Sequence, residues 1–364
     1  MQLIAPRRIL PVAAAALLAL SLPTPAGARP DTAAGPQTTP TTVAATLDGL
    51  AHRVALALAD RDTRTAVTSA VQAGPVTLAG VARLHADAAA ADRAVLAAKG
   101  LPASLGAVTQ LRLALPQMRA ALARGQAPLV ATAPTDDTAT AITAYDPSGR
   151  TVLLDPARAP QQPVLVVEVD SARTVPAGLD LVRHALAQRG VAPAGPAAAL
   201  SGGYWATKVN AVRLSDDEEP WIKGAAEIYS IVGGFGLDGH PKVDIVQMPY
   251  LDYDGTTYYP NQLLVHFSAY KYNLADVVMM EDDGDTNYQS LAQAIATALL
   301  TITDQGVYIP LVNAIINAIP TSWWTDDPDY VDSWYTLTTG SSGHLNGAAA
   351  NGWIEVSPYW VAPL

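Results

Sequence analysis

Four carboxylates crowd into five residues at Glu281-Asp282-Asp283-Gly284-Asp285, directly behind the apolar run Val277-Val278-Met279-Met280. The run has the length of a buried strand, and a helix-period segment begins at Tyr288. Like charges this close repel one another, and either water and salt or a hard cation with oxygen ligands must answer them. Three more acidic stations fall where strands are expected to end: Asp216-Asp217-Glu218-Glu219, Asp252-x-Asp254-Gly255 and Asp326-Asp327-x-Asp329. Loops at one end of a β-sandwich gather side chains from distant parts of a chain, and acidic loops there can supply the about six to eight oxygens that calcium takes. Asp252 and Asp254, two apart in an extended segment, can point the same way. Glu227 stands apart, inside an expected strand Ala225-Ala226-Glu227-Ile228-Tyr229, where burial is costly without a cation or several donors. The expected metal ligands are therefore Asp216, Asp217, Glu227, Asp252, Asp254, Glu281, Asp283 and Asp285, with calcium as the ion. Solvated turns, which favour Asp and Gly, are the plain alternative.

Other chemistries find less support. Asp283-x-Asp285-x-Asn287 matches the first three ligands of an EF-hand loop, but Tyr288 stands where that loop needs Gly and Ala294 where it needs Glu. Gly234-Phe235-Gly236-Leu237-Asp238-Gly239 satisfies the dinucleotide fingerprint, yet His240-Pro241 and another strand follow instead of a helix, so it reads as a glycine-rich hairpin connection. There is no cysteine and no Gly-x-Ser-x-Gly elbow, and nothing in the spacing of His240, His266 and His344 selects a Ser-His-Asp set. A pair of the carboxylates could serve as glycosidase acid and base, with Trp323-Trp324 or Tyr258-Tyr259 as stacking surfaces.

The elements that must position these residues divide the chain. After Tyr204 it reads as about seven short strands, Val209 to Leu214, Ala226 to Val232, Val243 to Met248, Leu263 to Phe267, Val277 to Glu281, Trp334 to Thr338 and Trp353 to Val356. Helical stretches within 288–319 interrupt them, so residues 204–364 are expected to form an acidic β-sandwich with a helical insertion. Residues 43–126 carry apolar stripes at helix spacing, including Leu47, Leu50, Val54 and Leu58, and a last set at Val108, Leu111, Leu115, Met118 and Leu122 broken by Pro116. They predict a small Ala-rich helical bundle, whose His52 and His85 have no ligand spacing. Residues 127–192 read as a small β-rich section with a helix at Asp180 to Arg189, and 193–203 as an Ala-Pro-Gly linker. The fold class is thus α+β and multidomain.

Charge and aromatics mark the same division. Residues 29–200 hold 15 Lys+Arg and 13 Asp+Glu; residues 201–364 hold 5 and 20, with all seven Trp, both Phe and every Tyr but Tyr145. So acidic a half excludes nucleic acid as a partner. Arg7-Arg8, the apolar stretch Ile9 to Leu22 and Ala26-Gly27-Ala28 read as a secretory signal over residues 1–28, with 29–42 a flexible leader. With no cysteine, neither disulfides nor a lipid-linked N-terminus can help, and no other apolar run approaches a membrane span.

One stretch carries a resemblance. Val212-Arg213-Leu214 to Asp216, Glu219-Pro220-Trp221-Ile222-x-Gly224-Ala225-Ala226-Glu227-Ile228-Tyr229, Met248-Pro249-Tyr250-Leu251-Asp252-Tyr253-Asp254, Tyr258-Tyr259-Pro260-Asn261-Gln262 and the Glu281-Asp282-Asp283 station resemble a family of secreted bacterial proteins catalogued as domain of unknown function 3103. The likeness continues through Trp323 to Tyr335 and, more weakly, into the N-terminal helices. It implies secretion but no activity or ligand set. At the level of fold the acidic half is also similar to C2-type calcium-binding sandwiches. The expected function is that of a secreted, monomeric, non-catalytic or accessory protein with a calcium-binding β-sandwich, acting on an extracellular protein, glycan or surface. A glycan-directed extracellular hydrolase and an adhesion or toxin-like module are the alternatives.

Overall fold

Helices open the chain where the apolar spacing places them. In the computed structural model, which describes residues 42–134, 139–193, 202–216, 221–282, 284–319 and 330–363, α1 (Val43–Ala57) starts at Thr42, whose hydroxyl accepts from Ala45 N at 3.1 Å. α2 (Arg61–Ala73) starts at Asp60, which accepts from Thr63 N at 2.9 Å. The expected signal sequence, Asp217, Asp283 and the acidic station at 326–329 lie outside the described residues. A two-residue strand, β1 (Val76–Thr77), and α3 (His85–Ala98) follow. The helix expected across Val108 to Leu122 is not formed. Instead the chain makes strand β2 (Thr109–Leu113), a 3-10 turn at Pro116–Met118 and the short α4 (Arg119–Ala123). A period of two lies in the same residues: Thr109, Leu111 and Leu113 are buried, and Gln110 and Arg112 between them both bond Glu168 on the neighbouring strand.

β3 (Leu129–Ala131), β4 (Ile142–Tyr145), β5 (Thr151–Leu154) and β6 (Val164–Val169) complete a six-stranded sheet of order β1-β2-β6-β3-β4-β5, parallel only between β3 and β6. Leu50 and Val54 of α1 and Val67 of α2 share one core with Leu111, Val130 and Leu165 of this sheet. The helical section and the β-rich section that follows it therefore have a single core between them.

α5 (Ser171–Gln188) leads into the acidic half. Its elements are β7 (Tyr204–Leu214), β8 (Ile228–Phe235), β9 (Pro241–Gln247), β10 (Gln262–His266), β11 (Leu274–Glu281), α6 (Tyr288–Leu299), α7 (Val312–Ala318), β12 (Tyr330–Thr338), β13 (Gly343–Asn346) and β14 (Gly352–Val361). The strands make two antiparallel four-stranded sheets, β10-β7-β14-β13 and β12-β11-β8-β9. Seven strands fall on the stretches that alternation marks, and β13 is additional. Val212 and Ile354 of one sheet share a core with Val232 and Val277 of the other, while the alternate residues Ile231 and Val278 join a second core with α5, α6 and α7. β11 is thus covered on both faces, which explains why Val277 to Met280 is an unbroken apolar run. The glycine pattern at 234–239 is the β8–β9 hairpin connection, closed by Gly236 N to His240 O at 2.8 Å.

The compositional shift near residue 200 does not divide the cores. Val95, Leu96, Leu179 and Val182 belong to the same cluster as Ile231, Val278, Leu291 and Ile315, and from Thr41 onward the chain forms one compact unit. Among the described residues no helix is long and apolar enough to cross a membrane. A tight seam joins α5 to α6: a Cβ on Gly178 would lie 2.2 Å from the Tyr288 ring. Gly178→Ala is expected to lower the melting temperature, because alanine's gain in helix propensity of about 1 kcal/mol is outweighed by overpacking of about 1–3 kcal/mol. Circular dichroism checks this, and an unchanged or raised melting temperature would show that the two helices part freely.

Candidate functional site

β11 delivers the acidic station to the end of its sheet. Glu281, its last residue, lies opposite Ile228 of β8. The chain then turns through Asp282 and Gly284, the latter at φ +76°, and reaches Asn287, whose side-chain oxygen caps α6 from Ser290 N at 2.9 Å. The charge is answered by Lys99, the first lysine of the sequence, at the end of α3. Its ammonium donates to Gly284 O at 2.7 Å and to Asp282 Oδ2 at 3.4 Å, and lies 5.1 Å from the centre of the Tyr288 ring. The Tyr288 hydroxyl donates to the same Asp282 oxygen at 3.0 Å. Burial raises this phenol well above its ordinary pKa, and the Asp282 charge pushes the same way, so it stays a donor. Two hydrogen bonds to the end of α3 clasp the segments: Tyr288 N donates to Lys99 O at 3.1 Å, and the Asn287 side-chain Nδ2 to Ala98 O at 2.6 Å.

Beside this pair opens a cleft of about 470 Å³. Glu227, Asp282 and Asp285 line it from the acidic half, with Lys223 and Tyr253; Arg112 and Glu168 line it from the six-stranded sheet, over an apolar floor that includes Leu47, Leu113 and Leu115. Arg112 Nε donates to Glu168 Oε2 at 2.6 Å and Gln110 Nε2 to Glu168 Oε1 at 2.9 Å. Burial pushes the Glu168 carboxyl up, and these donors pull it back toward the charged form. A further Arg112 nitrogen holds Ile222 O at 2.7 Å, which ties the segment before Glu227 to β2. Asp282 is 3% exposed, and its second oxygen, Oδ1, is buried with no hydrogen-bond partner among the described residues.

The expected ligands are thus partly assembled. Asp282 N reaches Glu227 O at 3.2 Å and Ala226 N reaches Asp252 O at 3.3 Å, so the stations around 227, 252 and 282 adjoin. Glu227 and Asp285 line the cleft. Glu227 is half-buried and sits just before β8 instead of within a strand. Asp252 lies in irregular backbone before a bend at Tyr253 and Asp254 in the turn that follows, not in an extended strand; the first is half-buried and the second exposed. Glu281 is buried at the strand end. Asp216 belongs to a separate turn, where Asn351 bonds both its backbone groups at 3.1 and 2.9 Å. Asp217 and Asp283 lie outside the described residues, among which no three His, Asp or Glu side chains form a metal-holding group. Spacing alone missed Lys99, Arg112 and Glu168. Only the solitary lysine among the arginines of the first half hints at the first of them.

A family model described as "Protein of unknown function (DUF3103)" matches residues 40–364. No curated protein and no solved structure gives a significant match.

Proposed function

The chain belongs to the DUF3103 family, a membership that brings no activity with it, and we propose that it is a secreted, non-catalytic binding protein whose cleft takes a calcium ion at its acidic wall. The observation that carries this reading is Asp282 Oδ1, a buried carboxylate oxygen at the edge of the cleft with no hydrogen-bond partner among the described residues. Leaving such an oxygen bare costs about 1–3 kcal/mol or more, and a cation entering from the cleft removes that cost. Glu227 and Asp285 would add oxygens from the same wall, with Asp283 beside them in sequence; backbone carbonyls and water complete calcium sites elsewhere. Secretion rests on the signal-like residues 1–28. The paired antiparallel sheets would then be a β-sandwich that presents the site from one end.

Thermal unfolding in chelator and in millimolar calcium tests the proposal. At a hundredfold excess over Kd, binding adds about 2.7 kcal/mol, a rise in melting temperature of about 5 °C or more. Glu227→Gln/Asp285→Asn is expected to abolish the rise, and Asp254→Asn to leave it. A response no larger than that to magnesium or to equal ionic strength would sink the calcium reading. The cleft would then be tested as a hydrolase site, with Glu168 as the carboxyl that burial raises, by release of sugar from a glycan panel. The adhesion reading rests on a different surface: Trp205 and Trp360, 45% and 46% exposed, pair across β7 and β14 with ring centres 5.2 Å apart.

A further inference from the structure

A second pocket, of about 390 Å³, lies where the edge strands of the two sheets part. β9 closes one sheet and β10 the other, and α5 bridges them. Its walls are largely apolar, from Ala187 and Ala192 to Val243 and Leu264. Arg183 of α5 also borders it, but its guanidinium is engaged: two nitrogens donate to Ile245 O at 3.1 and 2.9 Å, and the third bonds Asp180. That contact covers a carbonyl of the open strand edge. His184 Nδ1 sits 2.8 Å from Asp180 O, on its own helix.

The other polar groups are placed for a ligand. Asp244 Oδ1 accepts from Ile245 N at 2.8 Å; the residue is half-buried and has no Lys or Arg partner among the described residues. His266 Nδ1 lies 3.0 Å from the Tyr204 hydroxyl, which can donate to it and leave Nε2 as the N–H donor. Burial lowers the His266 pKa and the charge of Asp244 opposes that shift, so the ring is neutral at pH 7. Ser268 adds a hydroxyl two residues away.

We propose that this pocket binds a small organic ammonium: a primary amine on a short apolar body, with the ammonium on Asp244 and the apolar body against the His266 ring and the aliphatic walls. The volume falls within the range of small-molecule sites. The sign follows from the charges present, since Asp244 is the carboxylate of the pocket, Arg183 is occupied by its own neighbours, and the surrounding half of the chain has 5 Lys+Arg against 20 Asp+Glu. An anionic ligand of the same shape would meet repulsion. The site shares no residue with the cleft, so its fate is independent of the calcium reading.

The probes are phenethylamine, phenethyl alcohol and 3-phenylpropanoate, titrated into the full chain by calorimetry, with the His266 ring resonances followed by NMR. Phenethylamine is expected to bind and to shift the His266 signals, with the alcohol at least about tenfold weaker and the acid undetectable, the difference of one charge-assisted contact. Asp244→Asn, which keeps the backbone hydrogen bond, is expected to weaken the amine about tenfold. Ala187→Phe, on the exposed side of α5, is expected to block both the amine and the alcohol without unfolding the chain. Equal binding of amine and alcohol, no loss in Asp244→Asn, or no shift at His266 with amine at about 10 mM, where a ligand with a Kd of about 1 mM would be nearly saturated, would each overturn the proposal.

Discussion

Lys99→Met is expected to destabilise the protein by about 3–5 kcal/mol, because deleting one member of a buried ion pair leaves the other charge desolvated and alone. The side chains of Lys99 and Asp282 are 0% and 2% exposed, and methionine keeps the length of the lysine stem while removing the ammonium. The loss also strips Gly284 O of its 2.7 Å donor, at the turn between β11 and α6. Lys99→Met/Asp282→Asn is expected to recover much of the cost, since the amide carries no charge and can still accept from the Tyr288 hydroxyl; urea denaturation of the four species gives the coupling, expected at about 2 kcal/mol or more. Additive single effects, or a Lys99→Met cost under about 1 kcal/mol, would show that water reaches the pair. The same variant interrogates the cleft. A calcium ion on the cleft side of Asp282 would supply the positive charge that the ammonium no longer provides, so stabilisation by calcium is expected to be larger in Lys99→Met than in the parent chain.

Lys99 also shows where sequence reasoning stops. The acidic station was visible as charge behind an apolar run, and so was the need to neutralise it. The neutralising group sits 183 residues earlier in the chain, at the end of a helix whose other residues show only an ordinary apolar stripe. No local period encodes a contact of that range. Strands of the acidic half were legible because alternation with a period of two survives where each sheet has two different faces, as in Ile231 and Val232. β2 was not, since Val108, Leu111, Leu115, Met118 and Leu122 fit a helix as well as Thr109, Leu111 and Leu113 fit a strand, and the choice is made by Glu168 on β6, which takes both Gln110 and Arg112. Likewise, the division drawn from charge and aromatics followed surface composition. Cores are set by which apolar faces meet, and α3 and α5 turn theirs toward the sheet of the acidic half.

The other large effect is expected at Asp332, an acidic residue outside every station. It lies in β12 opposite Met279 of β11, is 0% exposed, and accepts four backbone N–H groups: Ser333 at 2.7 Å and Ala349 at 2.8 Å on Oδ1, Asn351 at 3.0 Å and Gly352 at 2.8 Å on Oδ2. Two of these donors belong to the connection between β13 and β14 and a third, Gly352, opens β14, so one carboxylate fixes the loop that joins the two strands. The carboxylate fills its site completely: a Cβ on Gly347 would fall 2.0 Å from it. Asp332→Ala leaves four donors without an acceptor, and at about 1–3 kcal/mol for each one that water cannot reach, the expected loss is about 4 kcal/mol or more. Asp332→Asn separates chemistry from volume. Its single amide oxygen can serve one pair of donors, while its NH₂ faces the other pair, so the near-isosteric change is expected to cost most of what alanine costs. Amide exchange should report the site of damage, with protection lost first at Ala349, Asn351 and Gly352 and only later in β11. If asparagine is tolerated within about 1 kcal/mol, the loop is held by its own turns and the carboxylate is incidental to it. A full loss would establish that the acidic character of this half has two origins, one of them the anchoring of loops by buried carboxylates, and that net charge overstates how many of its acids are available to a cation.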